Sequence, residues 1–222
     1  MLFRSVARKP VATAIQPCLV EQVASGFSAA SGGISVALGG AAYAATINSI
    51  NLASYTTSTL AVNLGQAPMF EMFAVGDNNT LFGYNLLSAA NASVTVATAN
   101  PYTLVEGAYQ MHAIYGVDTD NNPLTPSLNW VAPTGTYASA NLLAGTVAAN
   151  TLLNTIKAIK VGLVTRTALL EKDAVSGATV TLFGNTSVPV TVTLDNPNYR
   201  YRVSESIMPI RNALMLENYI YN

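Results

Sequence analysis

The chain has little of the chemistry that most catalytic sites need. Its 222 residues include one cysteine, Cys18, and one histidine, His112, and only 9% of them are charged. A lone cysteine excludes a disulfide within the chain, and two nitrogen or sulfur ligands are too few for an ordinary zinc site. No nucleophile elbow, phosphate-binding loop or dinucleotide fingerprint occurs either. We therefore predict that the protein is not an enzyme and carries no cofactor.

Positive charge is missing from the middle of the chain, where no lysine or arginine occurs between Lys9 and Lys157. Nothing resembles the basic stripe that neutralises phosphates, which argues against nucleic-acid binding. No apolar run reaches the roughly 20 residues that span a bilayer. Prolines and polar residues also interrupt residues 1–25, where a signal peptide would have its apolar core.

Apolar residues are abundant, at 50% of the chain, which is enough for one sizeable core. We predict a weakly ordered tail over residues 1–24 and a single domain over residues 25–222. Short runs rich in β-branched and aromatic residues predict strands. In the first half these strands cover residues 45–50, 57–64, 69–75, 80–87 and 93–98, and the turn at residues 76–79 makes a hairpin of the third and fourth.

The second half alternates between helix and strand signals. Apolar residues spaced by three or four predict a helix over residues 104–115, and Thr103 with Glu106 fits a capping box at its start. His112 falls on the apolar stripe of that helix, where we interpret it as a packed residue rather than a catalyst. A second helix is predicted over residues 147–156. Strands are predicted after it over residues 158–167, 175–182 and 188–194, with a late strand that ends before Pro209. The fold class is therefore α+β, with antiparallel strands and two short helices.

One loop has the ligand spacing of a calcium site. Asp118, Asp120 and Asn122 stand at alternate positions, so their oxygens could wrap a hard cation. However, Pro123 occupies the place where the sharp turn needs glycine, and Asn129 stands where a bidentate glutamate would close the site. We therefore favour an ordinary turn of the Asx type and keep calcium as the weaker alternative.

Several motifs, taken in order, are similar to those of the PilW family of type IV pilus assembly proteins. They are VGDNNTL at residues 75–81, YGVDTD at residues 115–120 with a tryptophan following, IKVGLVTR at residues 159–166, YRYR at residues 199–202 and MPIRN at residues 208–212. The resemblance runs from about Gly26 to Ala213. The family motif positions in this sequence are Tyr115, Gly116, Asp118, Trp130, Arg211 and Asn212.

The resemblance implies a minor pilin, a structural and non-catalytic subunit that takes part in the assembly or initiation of a type IV pilus. It implies a pilin-like head, with other minor pilins, the major pilin and a pilus-tip adhesin as partners. It also implies a leader peptide and an apolar helix that anchors the subunit in the inner membrane before assembly into the surface filament. Neither is present in this sequence, so we expect the chain to be N-terminally incomplete. The alternative is a secreted β-rich adhesin or glycan-binding surface protein.

Overall fold

The computed structural model describes residues 2–7, 19–25, 37–39, 46–47, 50–51, 59–63, 71–85, 101–120 and 127–210. Contacts divide the chain into two compact units. The first comprises residues 1–73 and 83–102, and the second comprises residues 74–82 and 103–222. The predicted division of the chain at residue 24 stays a prediction.

The first unit contains short antiparallel strands near the start of the chain. They are β1 (Leu2–Ala7), β2 (Leu19–Gln22), β3 (Thr46–Ile47), β4 (Ile50–Asn51) and β5 (Thr59–Asn63). The strand β1 pairs with β2 on one side and with β5 on the other, and β3 pairs with β4. The strand expected around residues 57–64 is therefore present. In place of the single strand expected over residues 45–50, the chain has the two-residue strands β3 and β4, which pair with each other. The strand expected at residues 93–98 lies outside the described residues.

A three-stranded sheet in the order β6-β7-β8 follows, with β6 at Glu71–Gly76, β7 at Thr80–Asn85 and β8 at Tyr102–Glu106. A short 3-10 turn at Asp77–Asn79 joins β6 to β7. Asn78 and Asn79 both adopt positive φ there, a conformation that asparagine tolerates better than most residues. The predicted hairpin with its turn after Gly76 is thereby confirmed.

The second unit is built on a four-stranded antiparallel sheet in the order β10-β9-β11-β14. Its elements are β9 (Ala108–Val117), β10 (Asn129–Val131), α1 (Ser139–Leu142), α2 (Val147–Thr155), β11 (Ile156–Arg166), β12 (Thr179–Leu182), β13 (Val190–Thr193) and β14 (Tyr201–Pro209). The strands β12 and β13 form a separate antiparallel hairpin. The α+β class is confirmed, as are the second predicted helix and the strands predicted after it.

The helix predicted over residues 104–115 is wrong, because these residues form β8 and most of β9. Gly107 separates the two strands with φ +84°, and a Cβ atom there would lie 2.8 Å from the Arg166 carbonyl oxygen. Over its length, β9 pairs with β11 in an antiparallel ladder. Such pairing with a distant segment overrides a local helical pattern, and the tyrosines and isoleucine of β9 suit a strand. The region expected to be a loop after residue 118 likewise includes β10.

The two faces of β11 differ in burial. Ala158, Lys160, Gly162 and Val164 are buried, whereas Ile159 and the other odd-numbered residues up to Leu163 are half-buried. A Cβ on Gly162 would lie 2.9 Å from atoms of Leu182 and Phe183, so the even-numbered face looks toward the β12-β13 hairpin. The main core lies between this face and the hairpin and consists of Tyr109, Ile114, Val164, Leu182, Phe183, Val192 and Leu194.

A second, smaller core lies where the two helices meet the sheet. Its buried residues are Val117, Leu142 and Ile156, against which Tyr115, Val131 and Leu152 pack. The helix α2 begins with Thr146 as its N-cap, whose Oγ1 accepts a hydrogen bond from the Ala149 backbone N–H at 3.1 Å. This satisfies one of the backbone donors that a helix leaves free at its start.

Candidate functional site

Of the three candidate calcium ligands, the structure describes Asp118 and Asp120. Asp118 directly follows β9 and is buried, and its backbone N–H donates to the Thr155 carbonyl oxygen at 2.8 Å. Asp120 is exposed, and Asn122 lies outside the described residues. Within the described part of the chain, no three or more His, Cys, Asp or Glu side chains are grouped closely enough to hold a metal. Calcium binding by this loop stays a prediction.

His112 lies on β9, opposite Gly162 of β11, and is half-buried. Its Nε2 is 3.0 Å from Oε1 of Gln110, which lies two residues earlier on the same face of the strand. The imidazole of His112 is therefore within hydrogen-bonding distance of a side chain on the same strand.

The family motif positions have a clear packing role where they are described. Gly116 pairs with Trp130 across β9 and β10, and a Cβ on Gly116 would lie 3.0 Å from the Trp130 ring and 2.9 Å from Leu128. The glycine therefore leaves room for the tryptophan to lie against the strand. Tyr115 packs on the helical core. The motif positions Arg211 and Asn212 lie outside the described residues.

The most unusual polar arrangement surrounds Lys160, whose side chain is only 7% exposed. Its Nζ lies 2.7 Å from Oε2 of Glu205 on β14 and donates a hydrogen bond to Oδ1 of Asn185 at 3.0 Å. The same Nζ lies 5.9 Å from the ring centroid of Trp130 and 5.6 Å from that of Phe183. We call these five residues the lysine cluster. They come from three strands of the sheet, β10, β11 and β14, and from the segment that directly follows the hairpin strand β12.

The backbone of the hairpin completes this cluster. Phe183 directly follows β12 with φ +58°, and its N–H donates to Oε1 of Glu205 at 2.6 Å. Hydrogen bonding from Lys160 lowers the pKa of Glu205, and the Phe183 amide lowers it further, against the opposing effect of burial. The Glu205 carboxylate is therefore held ionised by two donors at different oxygens. This ties β11, β14 and the hairpin together.

Sequence patterns gave no sign of this cluster. The alternation of residues along β11 assigns Lys160 and Arg166 to one face of the strand and Ile159, Val161 and Leu163 to the other. It did not show that the Lys160 face is the more buried one, because a lysine on a strand normally marks the solvent side. Asn185 and Glu205 lie far from Lys160 in sequence, and no local motif connects the three. Only a signal of long-range pairing could have found them.

The structure is of the α+β class, and in it the side chains of the lysine cluster connect an antiparallel sheet to a hairpin. Residues 72–212 match the sequence profile of type IV pilus-assembly protein W. Because the match covers more than half of the chain, the chain belongs to the PilW family, whose members are structural and assembly proteins of type IV pili. No curated protein and no solved structure matches the chain. Among the described residues, no helix is long and apolar enough to cross a membrane.

Proposed function

We propose that this chain is the head of a minor pilin, a non-catalytic subunit that takes part in starting or building a type IV pilus. The observation that carries the proposal is the match of residues 72–212 to the PilW profile. The architecture of the second unit is compatible with a structural role. In its described part, a sheet packs against a hairpin and against two helices.

The side of the sheet that faces away from the hairpin supports an assembly role. Met111, Ile159, Val161 and Leu163 lie on this side, because the register pairs Leu163 with Met111 and places the odd-numbered residues of β11 together. We call them the far face, and all four are half-buried. A row of aliphatic side chains on one face of a sheet is suited to packing against an apolar helix. We propose that a pilin helix occupies this face in the assembled filament.

The partners and location follow from the same proposal. We propose that the head contacts other minor pilins and the major pilin and that it reaches a pilus-tip adhesin. The protein would sit in the inner membrane before assembly and at the cell-surface end of the pilus afterwards. Co-purification of the tagged protein with other pilins from cells that assemble pili tests these contacts.

A complementation experiment tests the assembly role directly. A strain lacking the gene is complemented with the wild type, with Val161→Glu on the far face, or with Thr181→Glu on the exposed side of the hairpin strand β12. We expect wild type and Thr181→Glu to restore surface pili, whereas Val161→Glu fails because a carboxylate opposes apolar packing. Circular dichroism of the purified variants checks that each is folded.

The proposal fails if the deleted strain assembles normal pili, or if a folded Val161→Glu variant restores them fully. Normal pili together with lost attachment to glycans or surfaces would instead favour the adhesin alternative. A glycan-binding assay on the purified protein measures that activity directly.

A further inference from the structure

We propose that Lys160 and Asn185 become joined by an intramolecular isopeptide bond, with Glu205 as the catalytic acid and base. The lysine cluster holds the three groups that such a reaction requires, namely an amine, a carboxamide and a carboxyl group. No other co-reactant is needed. This modification is independent of the proposed assembly role, because it concerns the chemistry of the head alone.

The reacting atoms already lie close together. Lys160 Nζ is 3.0 Å from Asn185 Oδ1, and since a C=O bond is about 1.2 Å long, Nζ is at most about 4.2 Å from the amide carbon Cγ. Reacting atoms in near-attack geometries are about 3–3.5 Å apart. The proposal requires the Asn185 side chain to rotate so that Cγ comes into that range, and Asn185 is exposed, which gives it room to do so.

The Lys160 amine lies in a site that is largely shielded from water and directly beside a carboxylate that can take its proton. The Lys160 side chain is 7% exposed and the Glu205 side chain is 25% exposed, with the rings of Trp130 and Phe183 close to Nζ. Burial penalises both members of an ion pair. The resting pair is ionised, and the neutral pair is reached by one proton transfer across the 2.7 Å contact between Nζ and Oε2. A reaction that occurs once in the life of the protein requires only a small population of this neutral pair.

The step is a transamidation in which atoms and charges balance. The neutral Lys160 Nζ attacks Asn185 Cγ, and the protonated Glu205 carboxyl stabilises the oxygen that gains charge. Glu205 then takes a proton from the attacking nitrogen and donates one to the Asn185 amide nitrogen. The Cγ–Nδ2 bond breaks, ammonia leaves and the Nζ–Cγ amide bond remains. No oxidation or reduction occurs, and the exposed loop that carries Asn185 gives ammonia a route to solvent.

Intact-mass spectrometry of the purified full chain under denaturing conditions tests the proposal. We expect a mass lower than that of the sequence by one molecule of ammonia. Digestion should give one branched fragment that contains both Lys160 and Asn185, identified by its fragment ions. An unmodified mass for protein that is folded and has been aged at room temperature overturns the proposal.

Variants separate the isopeptide bond from other losses of ammonia, such as cyclisation of an asparagine to a succinimide. Lys160→Met and Asn185→Ala should both keep the full sequence mass, as should Glu205→Gln. If Lys160→Met still loses ammonia, the proposal is wrong, since a succinimide does not need the lysine. Asn154→Ala, on the exposed side of α2, is the matched control and should lose ammonia like the wild type.

A gain-of-signal variant covers the case in which Glu205→Gln or Lys160→Met fails to fold. Asn185 is exposed, so Asn185→Asp should fold normally, lose water instead of ammonia and give the same final mass as the wild type. Full retention of that water in the folded variant counts against the proposal. The bond would close a loop of 25 residues, so Asn185→Ala should also melt roughly 10 °C lower than the wild type.

Discussion

The two sides of the second unit are stabilised in different ways. On the hairpin side, seven buried apolar residues pack between the sheet and β12-β13, and the lysine cluster ties the same elements together. At the helical end, the core cluster seen within the described part of the chain has three buried members, Val117, Leu142 and Ile156. Both helices are short, and Leu143, which follows α1, is exposed, as are Val147 and Leu153 of α2. We infer that most of the stability of this unit comes from the hairpin side.

This difference suggests a division of roles. A region with few buried contacts opens locally at a low free-energy cost, and surfaces that bind partners are often of this kind. The exposed leucines and valine of the helical end are also available for contact with another subunit. We expect the hairpin side, which has the larger core, to open less readily.

We expect the two sides to differ most in the loss of stability when one buried side chain of each core is truncated to alanine. Phe183 is fully buried on the hairpin side and Leu142 is 6% exposed at the helical end. We expect Phe183→Ala to lower the free energy of unfolding by about 3–5 kcal/mol and Leu142→Ala by about 2 kcal/mol. Urea denaturation followed by circular dichroism measures both. Equal losses, or a larger loss for Leu142→Ala, would contradict the inferred distribution of stability.

The parts of the fold that could be predicted from sequence are those whose signal is local. The hairpin at β6-β7 was found because Gly76 and the residues after it encode their own turn, and α2 was found because no breaker interrupts it. The residues of β9 were assigned to a helix because the decisive pairing partner, β11, lies far along the chain. Local spacing cannot reveal such a partner, and pairing overrode the local signal.

The site shows the same limit more strongly. Lys160 could be assigned to one face of a strand, but Asn185 and Glu205 reach it only through the packing of the hairpin and β14. Lysine is rarely buried in proteins, so its residue type predicted an exposed side chain for Lys160, which is in fact buried. Gly116 and its partner Trp130, by contrast, were both picked out by the resemblance to the PilW motifs.

A pH titration isolates a second contribution of the hairpin side. Tyr109 is buried and donates a hydrogen bond from its hydroxyl to the Thr193 carbonyl oxygen at 3.2 Å. Burial, followed by the effect of Asp195, raises the pKa of Tyr109 from 10.0 to about 12. The folded state therefore holds this proton more tightly than the unfolded state, so stability is lost as the pH rises from about 10 to about 12.

Urea denaturation across that pH range should show a loss of about 2–3 kcal/mol in the wild type that is absent from Tyr109→Phe. Other titrating groups are common to both proteins and cancel in the difference. The same pH dependence in both proteins would show that Tyr109 does not carry the effect.

A glycine substitution tests how closely the hairpin lies on the sheet. A Cβ on Gly162 would lie 2.9 Å from Leu182 and Phe183, whereas a Cβ on Gly177 would lie 3.8 Å from the nearest atom outside its neighbours. We expect Gly162→Ala to cost about 1–3 kcal/mol through overpacking, while the control Gly177→Ala changes stability by less than about 0.5 kcal/mol. The shift in the urea midpoint measures each. A neutral Gly162→Ala would mean that the hairpin can move away from the sheet easily.

The smallest expected effect lies at the helical end and tests how α2 is held. Thr146 accepts the Ala149 N–H at 3.1 Å as the N-cap of α2, whereas Thr151 within the helix donates to the Val147 carbonyl oxygen. Thr146→Ala should cost about 1 kcal/mol, and Thr151→Ala should be neutral or slightly stabilising, since alanine is the better helix former. Hydrogen exchange of the α2 amides should quicken in Thr146→Ala while exchange in β11 stays unchanged, because the helical end opens without the sheet. If β11 exchanges faster as well, the helical end and the hairpin side unfold together.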